Sequence, residues 1–193
     1  MLLFTRSLCR RDPLETLAAA LRGGVDAVQV REKEATSREI LEWARRVRGR
    51  VPGLLLVNDR ADLAVLADAD GVHLGQDDLP PEPAREILGA DRLLGVSTHD
   101  LDQARAAART GADYVGFGSI FSTRTKGVAK GLGPGALAPV LEAVSIPVFP
   151  IGGIDAHNAG DLAFARRAAV SSAILAAEDP ERAARAIRSA LGA

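Results

Sequence analysis

The chain has 193 residues, of which 47% are hydrophobic and 25% charged, and its formal net charge is −1. This balance predicts neither a nucleic-acid partner nor an anionic membrane surface as partner, and an aromatic content of 4% argues against a base-stacking platform. The single cysteine, Cys9, cannot form an intramolecular disulfide, which fits a reducing cytoplasm. We expect one domain over residues 1–193.

Short apolar runs alternate with stretches of helical periodicity along the chain. The runs are apolar on both faces, as buried parallel strands are. We predict strands over Leu2–Thr5, Ala27–Val30, Leu54–Val57, Gly71–Leu74, Leu93–Val96, Tyr114–Phe117, Pro147–Ile151 and Ala169–Ala173. We predict helices over Leu14–Leu21, Ser37–Val47, Ala61–Ala67, Pro81–Ile87, Leu101–Arg109, Ala136–Val144, Asn158–Arg166 and Pro180–Leu191.

Eight strand–helix pairs without a linker rich in Pro, Gly or Ser predict an α/β domain of the TIM-barrel class, a closed (β/α)8 barrel. A doubly wound open sheet is the main alternative. The chain is shorter than most barrels, so its helices and loops must be trimmed. Reactive groups of a barrel follow its strands at the carboxyl-terminal face, which makes the residues after each strand the candidates for a functional site.

Gln29, Arg31 and Lys33 alternate at the end of the second strand, so an amide and two cations share one face. An arginine fork and a lysine beside it can hold a diphosphate. The alternative is a solvated charged loop in which Glu32 pairs with an arginine.

Asp59 and Asp78 follow the third and fourth strands. Carboxylates on neighbouring barrel strands can converge on Mg²⁺, which takes few protein carboxylates and completes its octahedron with water and phosphate oxygens. The alternatives are a helix cap for Asp59 and a role in the helix start at Pro80-Pro81 for Asp78.

The later strands are followed by further polar groups. Ser97 can hydrogen-bond a substrate, whereas His99 and His73 are better interpreted as structural histidines. The glycine-rich stretch from Gly118 to Gly135 has the length of an active-site lid, and it contains Ser119, Thr123, Thr125, Lys126 and Lys130.

A second anion site is predicted where the last two strands end. Gly152 and Gly153 follow the seventh strand, and Ser171-Ser172 lies in the eighth. Paired glycines let backbone N–H groups approach an anion, and barrels often bind phosphate at this position.

Taken in order, these segments resemble the thiamine-phosphate synthase family, also called thiamine-phosphate pyrophosphorylase. The resemblance runs over residues 14–180. The matching segments are Gln29-Val30-Arg31-Glu32-Lys33, Asn58-Asp59-Arg60-Ala61-Asp62-Leu63-Ala64, Ala69-Asp70-Gly71-Val72-His73-Leu74-Gly75-Gln76-Asp77-Asp78, Gly95-Val96-Ser97-Thr98-His99, Asp113-Tyr114-Val115-Gly116-Phe117-Gly118, Thr123-Arg124-Thr125-Lys126 and Ile151-Gly152-Gly153-Ile154.

The resemblance implies a transferase of thiamine biosynthesis on a (β/α)8 barrel. It would join 4-amino-5-hydroxymethyl-2-methylpyrimidine diphosphate to 4-methyl-5-(2-hydroxyethyl)thiazole phosphate and release thiamine phosphate and diphosphate. It implies Asp59 and Asp78 as magnesium ligands, and Arg31, Lys33 and Lys126 as the catalytic cations. The substrate-binding residues that it implies are Gln29, Arg31, Lys33, Asn58, Ser97, Thr123, Thr125, Lys126, Gly153 and Ser172.

The match has three departures. The opening Leu3-Phe4-Thr5-Arg6 lacks the Thr-Asp pair expected after the first strand, and Ser119 stands where synthases usually have proline. The segment from Asn158 to Ser172 is short, and Ala165-Arg166-Arg167-Ala168 replaces the usual Gly-Ala-Asp-Gly turn. This weakens the assignment of Ser172, for which Arg167 is a candidate compensating charge.

Two alternatives remain at this point. Thiazole tautomerases share the fold, but they use a histidine at the position of Ser119 and lack the paired aspartates. The other alternative is a non-catalytic barrel that binds thiamine phosphates or partners another protein. The presence of the predicted cations and carboxylates argues against it: Arg31, Lys33, Asp59, Asp78 and Lys126. The sequence leaves the oligomeric state open and is compatible with a homo-oligomer.

Overall fold

The computed structural model of the chain describes residues 1–123 and 129–193. Within them, seven parallel strands form one sheet in the order of the sequence. The strands are β1 (Leu2–Phe4), β2 (Ala27–Val30), β3 (Leu54–Asn58), β4 (Gly71–Leu74), β5 (Leu93–Thr98), β6 (Tyr114–Gly118) and β7 (Val148–Ile151).

Helices lie in the connections between the strands and after the last one. The α-helices of the described residues are α1 (Pro13–Arg22), α2 (Ser37–Arg48), α3 (Ala61–Leu66), α4 (Pro81–Leu88), α5 (Leu101–Arg109), α6 (Ala138–Ala143), α7 (Ser172–Leu175) and α8 (Pro180–Ala190). Short 3-10 helices cover Arg6–Leu8, Pro134–Ala136 and Ala159–Ala165. No helix in these parts of the chain is long and apolar enough to cross a membrane.

Each strand pairs in parallel with the next one along the chain, so all the carboxyl ends lie at one rim of the sheet. Every residue of β1, β2, β4 and β6 is buried, as expected for strands covered on both faces. Thr36 and Glu39 form a capping box at the start of α2.

The prediction of a closed (β/α)8 barrel is wrong: the fold is TIM-like, with seven strands among the described residues. The segment predicted as the eighth strand, Ala169–Ala173, contributes only isolated bridges, Ala169 to Ile151 and Val170 to Leu2. Ser171 then turns its hydroxyl to the Leu3 carbonyl at 3.0 Å. The backbone enters α7 at the next residue, so no further ladder bonds form.

A second difference lies just before this segment. The predicted helix Asn158–Arg166 is the 3-10 helix Ala159–Ala165, and it ends at Arg166 in the left-handed region with φ of 55°. A 3-10 turn closes with fewer residues than an α-turn, which suits a segment this short.

Two aspartates tie neighbouring strands together at the amino end of the sheet. The Asp70 carboxylate accepts the Leu55 backbone N–H at 2.7 Å and the Arg48 guanidinium at 2.6 Å. Asp113 repeats this arrangement with Leu94 and Arg85, at 2.7 and 2.6 Å. Each carboxylate therefore links the start of a strand to the helix that packs beside it.

We predict that Asp70→Ala lowers the free energy of unfolding by about 1–3 kcal/mol, because it leaves a partly buried backbone N–H and a guanidinium without their acceptor. Urea unfolding monitored by circular dichroism measures the change. Asp102→Ala is the control: the Asp102 side chain is 94% exposed and makes a surface pair with Arg105, so its effect should stay within about 0.5 kcal/mol. Equal effects of the two substitutions would contradict the role of Asp70.

Candidate active site

A cavity of about 480 Å³ lies at the carboxyl ends of β2 to β5. We call it the carboxylate cavity. Its lining residues are Arg31, Lys33, Asn58, Asp59, Gly75, Gln76, Asp77, Asp78, Ser97 and His99. The structure thus brings together six of the residues singled out in the sequence, from four different strand ends.

Asp59 and Asp78 face each other in this cavity. Burial, followed by the hydrogen bond and negative charge of Asp78, raises the pKa of Asp59 to about 6, while Lys33 and Arg31 oppose the rise. The Lys33 ammonium lies 3.8 Å from Asp59 Oδ2, and Asp78 Oδ2 accepts the Gly75 backbone N–H at 2.6 Å. The two cations therefore offset only part of the combined effect of burial and of the neighbouring carboxylate on Asp59.

The alternative role of Asp59 as a helix cap does not fit its position. The residue at the start of α3 is Arg60, and no side chain caps that helix. Asp59 itself has a φ of 64°, a left-handed conformation that costs energy for residues with a Cβ. Its backbone N–H donates to the His73 carbonyl at 2.8 Å. The backbone therefore directs this carboxylate into the cavity and not along the helix.

Asp78 likewise does not cap a helix, because Pro80 precedes α4 and no side-chain cap is present. Among the described residues no group of three or more His, Cys, Asp or Glu could hold a metal ion. A pair of converging carboxylates is nevertheless the donor set that Mg²⁺ uses when phosphate oxygens and water supply its other ligands. The residues present therefore fit such an ion.

The alternative interpretation of this segment, a charged loop in which Glu32 pairs with an arginine, is correct for Glu32 itself. Its Oε1 accepts the Arg6 backbone N–H at 2.8 Å and lies 3.2 Å from Arg6 Nε. Arg31 and Lys33 nonetheless line the carboxylate cavity, because the alternation of the strand end directs Glu32 elsewhere.

A second, larger cavity of about 660 Å³ lies beside the first, between the ends of β6, β7 and α7. We call it the glycine cavity. Its lining residues are Leu3, Arg31, Ser119, Ser122, Thr123, Ile151, Gly152, Gly153, Ile154, Asp155, Ala156, His157, Ala169, Val170, Ser171, Ser172, Ala173 and Ala176. Thr123, Gly153 and Ser172 thus lie where the sequence predicted the second anion site.

Both paired glycines are required by the backbone here. Gly152 and Gly153 have φ of 98° and 63°, and a Cβ on Gly153 would overlap the Ser122 carbonyl oxygen. Among the described residues that line the glycine cavity, Arg31 is the sole arginine or lysine. An anion in this cavity would therefore rely on backbone N–H groups and hydroxyls.

Arg31 lines both cavities. A small interior cavity of about 30 Å³ lies beneath them, and its wall includes Gln29, Arg31, Asn58 and Ser97. The residues predicted for the site therefore surround one continuous region. Thr125 and Lys126 lie outside the described residues.

Two residues that line the cavities, Gln76 and His157, were not predicted as site residues from the sequence. Gln76 Nε2 donates to the Ser97 carbonyl at 2.6 Å. His157 lines the glycine cavity in a turn held by Asp155, whose carboxylate accepts the His157 backbone N–H at 2.8 Å. The Asp155-x-x-Asn158 spacing is typical of such turns and was the available signal.

Arg167 does not provide the compensating charge considered for the short segment. It precedes Ala169 and lines a cavity at the amino end of the sheet. Its guanidinium carbon is 5.7 Å from the centroid of the Phe149 ring. The phosphate-binding capacity of the glycine cavity therefore has to come from other groups.

The fold and the two cavities define an enzyme for phosphorylated small molecules, because cations, a carboxylate pair and an anion-binding glycine turn share one rim of a TIM-like sheet. Residues 1–174 match the family model described as thiamine monophosphate synthase. The chain belongs to this family.

Curated relatives and a solved structure agree with this membership. The chain is 46% identical over 186 residues to the thiamine-phosphate synthase of Chlorobium luteolum. The aligned region covers 91% of this chain and 85% of that relative. The chain is 48% identical over 187 residues to the thiamine-phosphate synthase of Anaeromyxobacter dehalogenans, with 94% and 84% covered. The thiamine phosphate pyrophosphorylase structure from Pyrococcus furiosus has a TM-score of 0.87 and 36% identity, covering 99% of this chain and 94% of that chain.

We predict that Asp59→Asn, without added metal, is at least as stable as the parent chain, because it removes the repulsion from Asp78 and asparagine tolerates a positive φ. Asp59→Ala should be less stable than Asp59→Asn by about 1 kcal/mol, since alanine disfavours the left-handed region. Urea unfolding of the three chains tests both statements. A large loss of stability in Asp59→Asn would show instead that the pairing with Lys33 dominates.

Proposed function

We propose that the chain is a thiamine-phosphate synthase, which joins 4-amino-5-hydroxymethyl-2-methylpyrimidine diphosphate to 4-methyl-5-(2-hydroxyethyl)thiazole phosphate. The observation that carries the proposal is the meeting of the carboxylate cavity and the glycine cavity at Arg31. One cavity has cations and paired carboxylates for a diphosphate with its metal, and the other has a glycine turn for a single phosphate. The family model and the curated relatives support the same reaction.

The reaction is a transfer of the pyrimidine-methyl group. The bond between the methylene carbon and the diphosphate oxygen breaks with its electron pair leaving on diphosphate. The thiazole nitrogen then forms the new carbon–nitrogen bond. The amino-pyrimidine ring can delocalise the positive charge, so no protein nucleophile is needed.

The protein then has to bind both substrates, exclude water and balance the charge of the departing anion. Arg31 and Lys33 are proposed to do this from the end of β2, with Lys126, which follows β6 in the sequence, as a further cation. Gln29 and Asn58 are proposed to contact the pyrimidine diphosphate, and Ser97 to donate to its phosphate oxygens. Arg31 is suited to bidentate binding because its guanidinium presents a fork of N–H donors.

Asp59 and Asp78 are proposed to hold Mg²⁺, which when bound supplies positive charge to the diphosphate. The two carboxylates lie within hydrogen-bond distance of each other, and a bound cation would relieve their mutual repulsion. This is the physical reason to expect a divalent ion at this pair and not at an isolated carboxylate.

Gly153, Ser172, Thr123 and Thr125 are proposed to hold the thiazole phosphate. Ser119, at the position that carries a histidine in the tautomerases, lines the same cavity, and a serine does not supply the imidazole on which that alternative activity relies. We also propose a cytoplasmic location, which cell fractionation tests, and a homo-oligomeric state, which light scattering tests.

The proposed reaction predicts that thiamine phosphate and diphosphate form in equal amounts when both substrates and Mg²⁺ are supplied, and that chelation of Mg²⁺ abolishes the reaction. Asp59→Asn should lower kcat by at least about 100-fold, because the departing anion loses part of its stabilisation. Asp91→Asn, the same change in an exposed residue at the amino end of β5, should leave kcat unchanged. Turnover by Asp59→Asn at the parent rate would contradict the assignment, and no thiamine phosphate from the parent chain would contradict the function.

Ser172→Ala should raise KM for the thiazole phosphate by about tenfold or more, because a hydrogen bond to a charged group contributes about 1.5–3 kcal/mol. KM for the pyrimidine diphosphate should be unchanged. Steady-state kinetics with each substrate varied in turn separates the two values. Ser189→Ala on the exposed face of α8 is the matched control. A change confined to the pyrimidine diphosphate would place Ser172 at the wrong substrate.

A further inference from the structure

A chain of hydrogen bonds connects the inner face of the sheet to the carboxylate cavity. His73 in β4 and Tyr114 in β6 are 7% and 5% exposed, and His73 Nδ1 lies 3.0 Å from the Tyr114 hydroxyl. The other imidazole nitrogen, Nε2, lies 2.9 Å from the hydroxyl oxygen of Ser97. Ser97 therefore has a buried imidazole on one side and the cavity on the other.

Two glycines provide the space for this arrangement. A Cβ on Gly95 would overlap the Tyr114 ring, and one on Gly116 would lie 3.2 Å from His73 Cε1. Gly95 is the register partner of both His73 and Tyr114, and Gly116 is that of Ser97. Neighbouring strands thus lack side chains at the positions where the imidazole and phenol rings lie.

The direction of each hydrogen bond follows from the chemistry of its members. Burial raises the pKa of Tyr114 far above its usual value, so its hydroxyl keeps the proton. Each ring nitrogen of His73 faces one hydroxyl, that of Tyr114 or that of Ser97. A phenol is a stronger acid than an aliphatic hydroxyl and therefore the stronger hydrogen-bond donor, so we assign the Tyr114 O–H as the donor to His73 Nδ1.

An imidazole that accepts a hydrogen bond at Nδ1 carries its own proton on Nε2. That N–H donates to the Ser97 oxygen, and the proton of Ser97 is directed away from the histidine. A diphosphate oxygen is an acceptor only, so it needs a hydroxyl that donates. The opposite tautomer would draw the Ser97 proton to Nε2 and present the serine lone pairs to the anion.

We propose that Tyr114 and His73 are positioning residues that hold Ser97 as a hydrogen-bond donor to diphosphate in the carboxylate cavity. The inference rests on the proposed function for the identity of the anion. Its tests use inorganic diphosphate and the chain without substrates, so they do not depend on turnover.

The first test is the tautomer of His73. The chain has three histidines, and ¹⁵N-labelled protein with His99→Gln and His157→Gln leaves one imidazole to observe by NMR. We expect Nε2 to carry the proton and Nδ1 to be unprotonated. In the same protein with Tyr114→Phe this preference should weaken. A proton fixed on Nδ1 alone in the parent background would overturn the proposal.

The second test is a double-mutant cycle read as the Kd of inorganic diphosphate with Mg²⁺ by calorimetry. Tyr114→Phe should weaken binding several-fold, and Ser97→Ala by tenfold or more. In the Ser97→Ala background, Tyr114→Phe should have no further effect, because it acts through the serine. Full additivity of the two effects would show that Tyr114 acts only through general packing and would overturn the proposal.

Variants of His73 itself keep the test decisive if loss of the phenol destabilises the chain. The amide nitrogen of glutamine reaches the position of Nε2, whereas that of asparagine reaches the position of Nδ1. His73→Gln should therefore retain more diphosphate affinity than His73→Asn, at matched stability in urea. Equal affinity of the two variants would contradict the proposal. Failure of thiamine phosphate formation in the parent chain would refute the proposed function and leave these three readouts unaffected.

Discussion

The convergence of two carboxylates, Asp59 and Asp78, in a partly buried cavity is the constraint on which the rest of the candidate site depends. Parallel pairing of β3 and β4 brings these two strand ends to the same rim, and partial burial denies the carboxylates the screening of water. Lys33 and Arg31 lie close enough to offset part of the charge. A divalent cation at this pair, as proposed above, would balance the remaining negative charge and attract the anionic end of a substrate.

This constraint explains why the two cavities differ in chemistry. The carboxylate cavity gathers charged side chains, whereas the described lining of the glycine cavity has Arg31 as its sole lysine or arginine and depends on the Gly152-Gly153 turn. Under the proposed function, a diphosphate with its metal needs charged ligands, whereas a single phosphate can be held by backbone N–H groups and hydroxyls. Arg31 lines both cavities. The polar pair of His73 and Tyr114 lies beneath them, where burial fixes side-chain orientation before any ligand arrives.

Much of the fold was predictable because buried parallel strands have a simple sequence pattern. The predicted bounds of β2 and β4 agree with the structure, and the polar residues that follow the strands do line the cavities. The prediction of an eighth strand was wrong because a five-residue apolar run does not show where backbone pairing between strands stops. Ser171 and the first turn of α7 determine that point through tertiary contacts with β1.

The parts of the site that escaped prediction depend on side-chain direction. Tyr114 lies in an ordinary predicted strand, and only Gly95, its register partner on β5, shows that its ring points inward. His157 is positioned by the turn in which its backbone N–H donates to the Asp155 carboxylate. Periodicity locates the backbone of such residues, but their contacts emerge only when several strands are assembled.

A calorimetric titration of Mg²⁺ into the chain, with and without inorganic diphosphate, measures directly whether the Asp59–Asp78 pair binds a cation together with an anion. If Asp59 and Asp78 form an incomplete site that an anion completes, Mg²⁺ binds weakly alone and much more tightly when diphosphate is present. Diphosphate should show the same gain in affinity from Mg²⁺, because the coupling is reciprocal. Equal Mg²⁺ affinity in the two titrations would contradict the account.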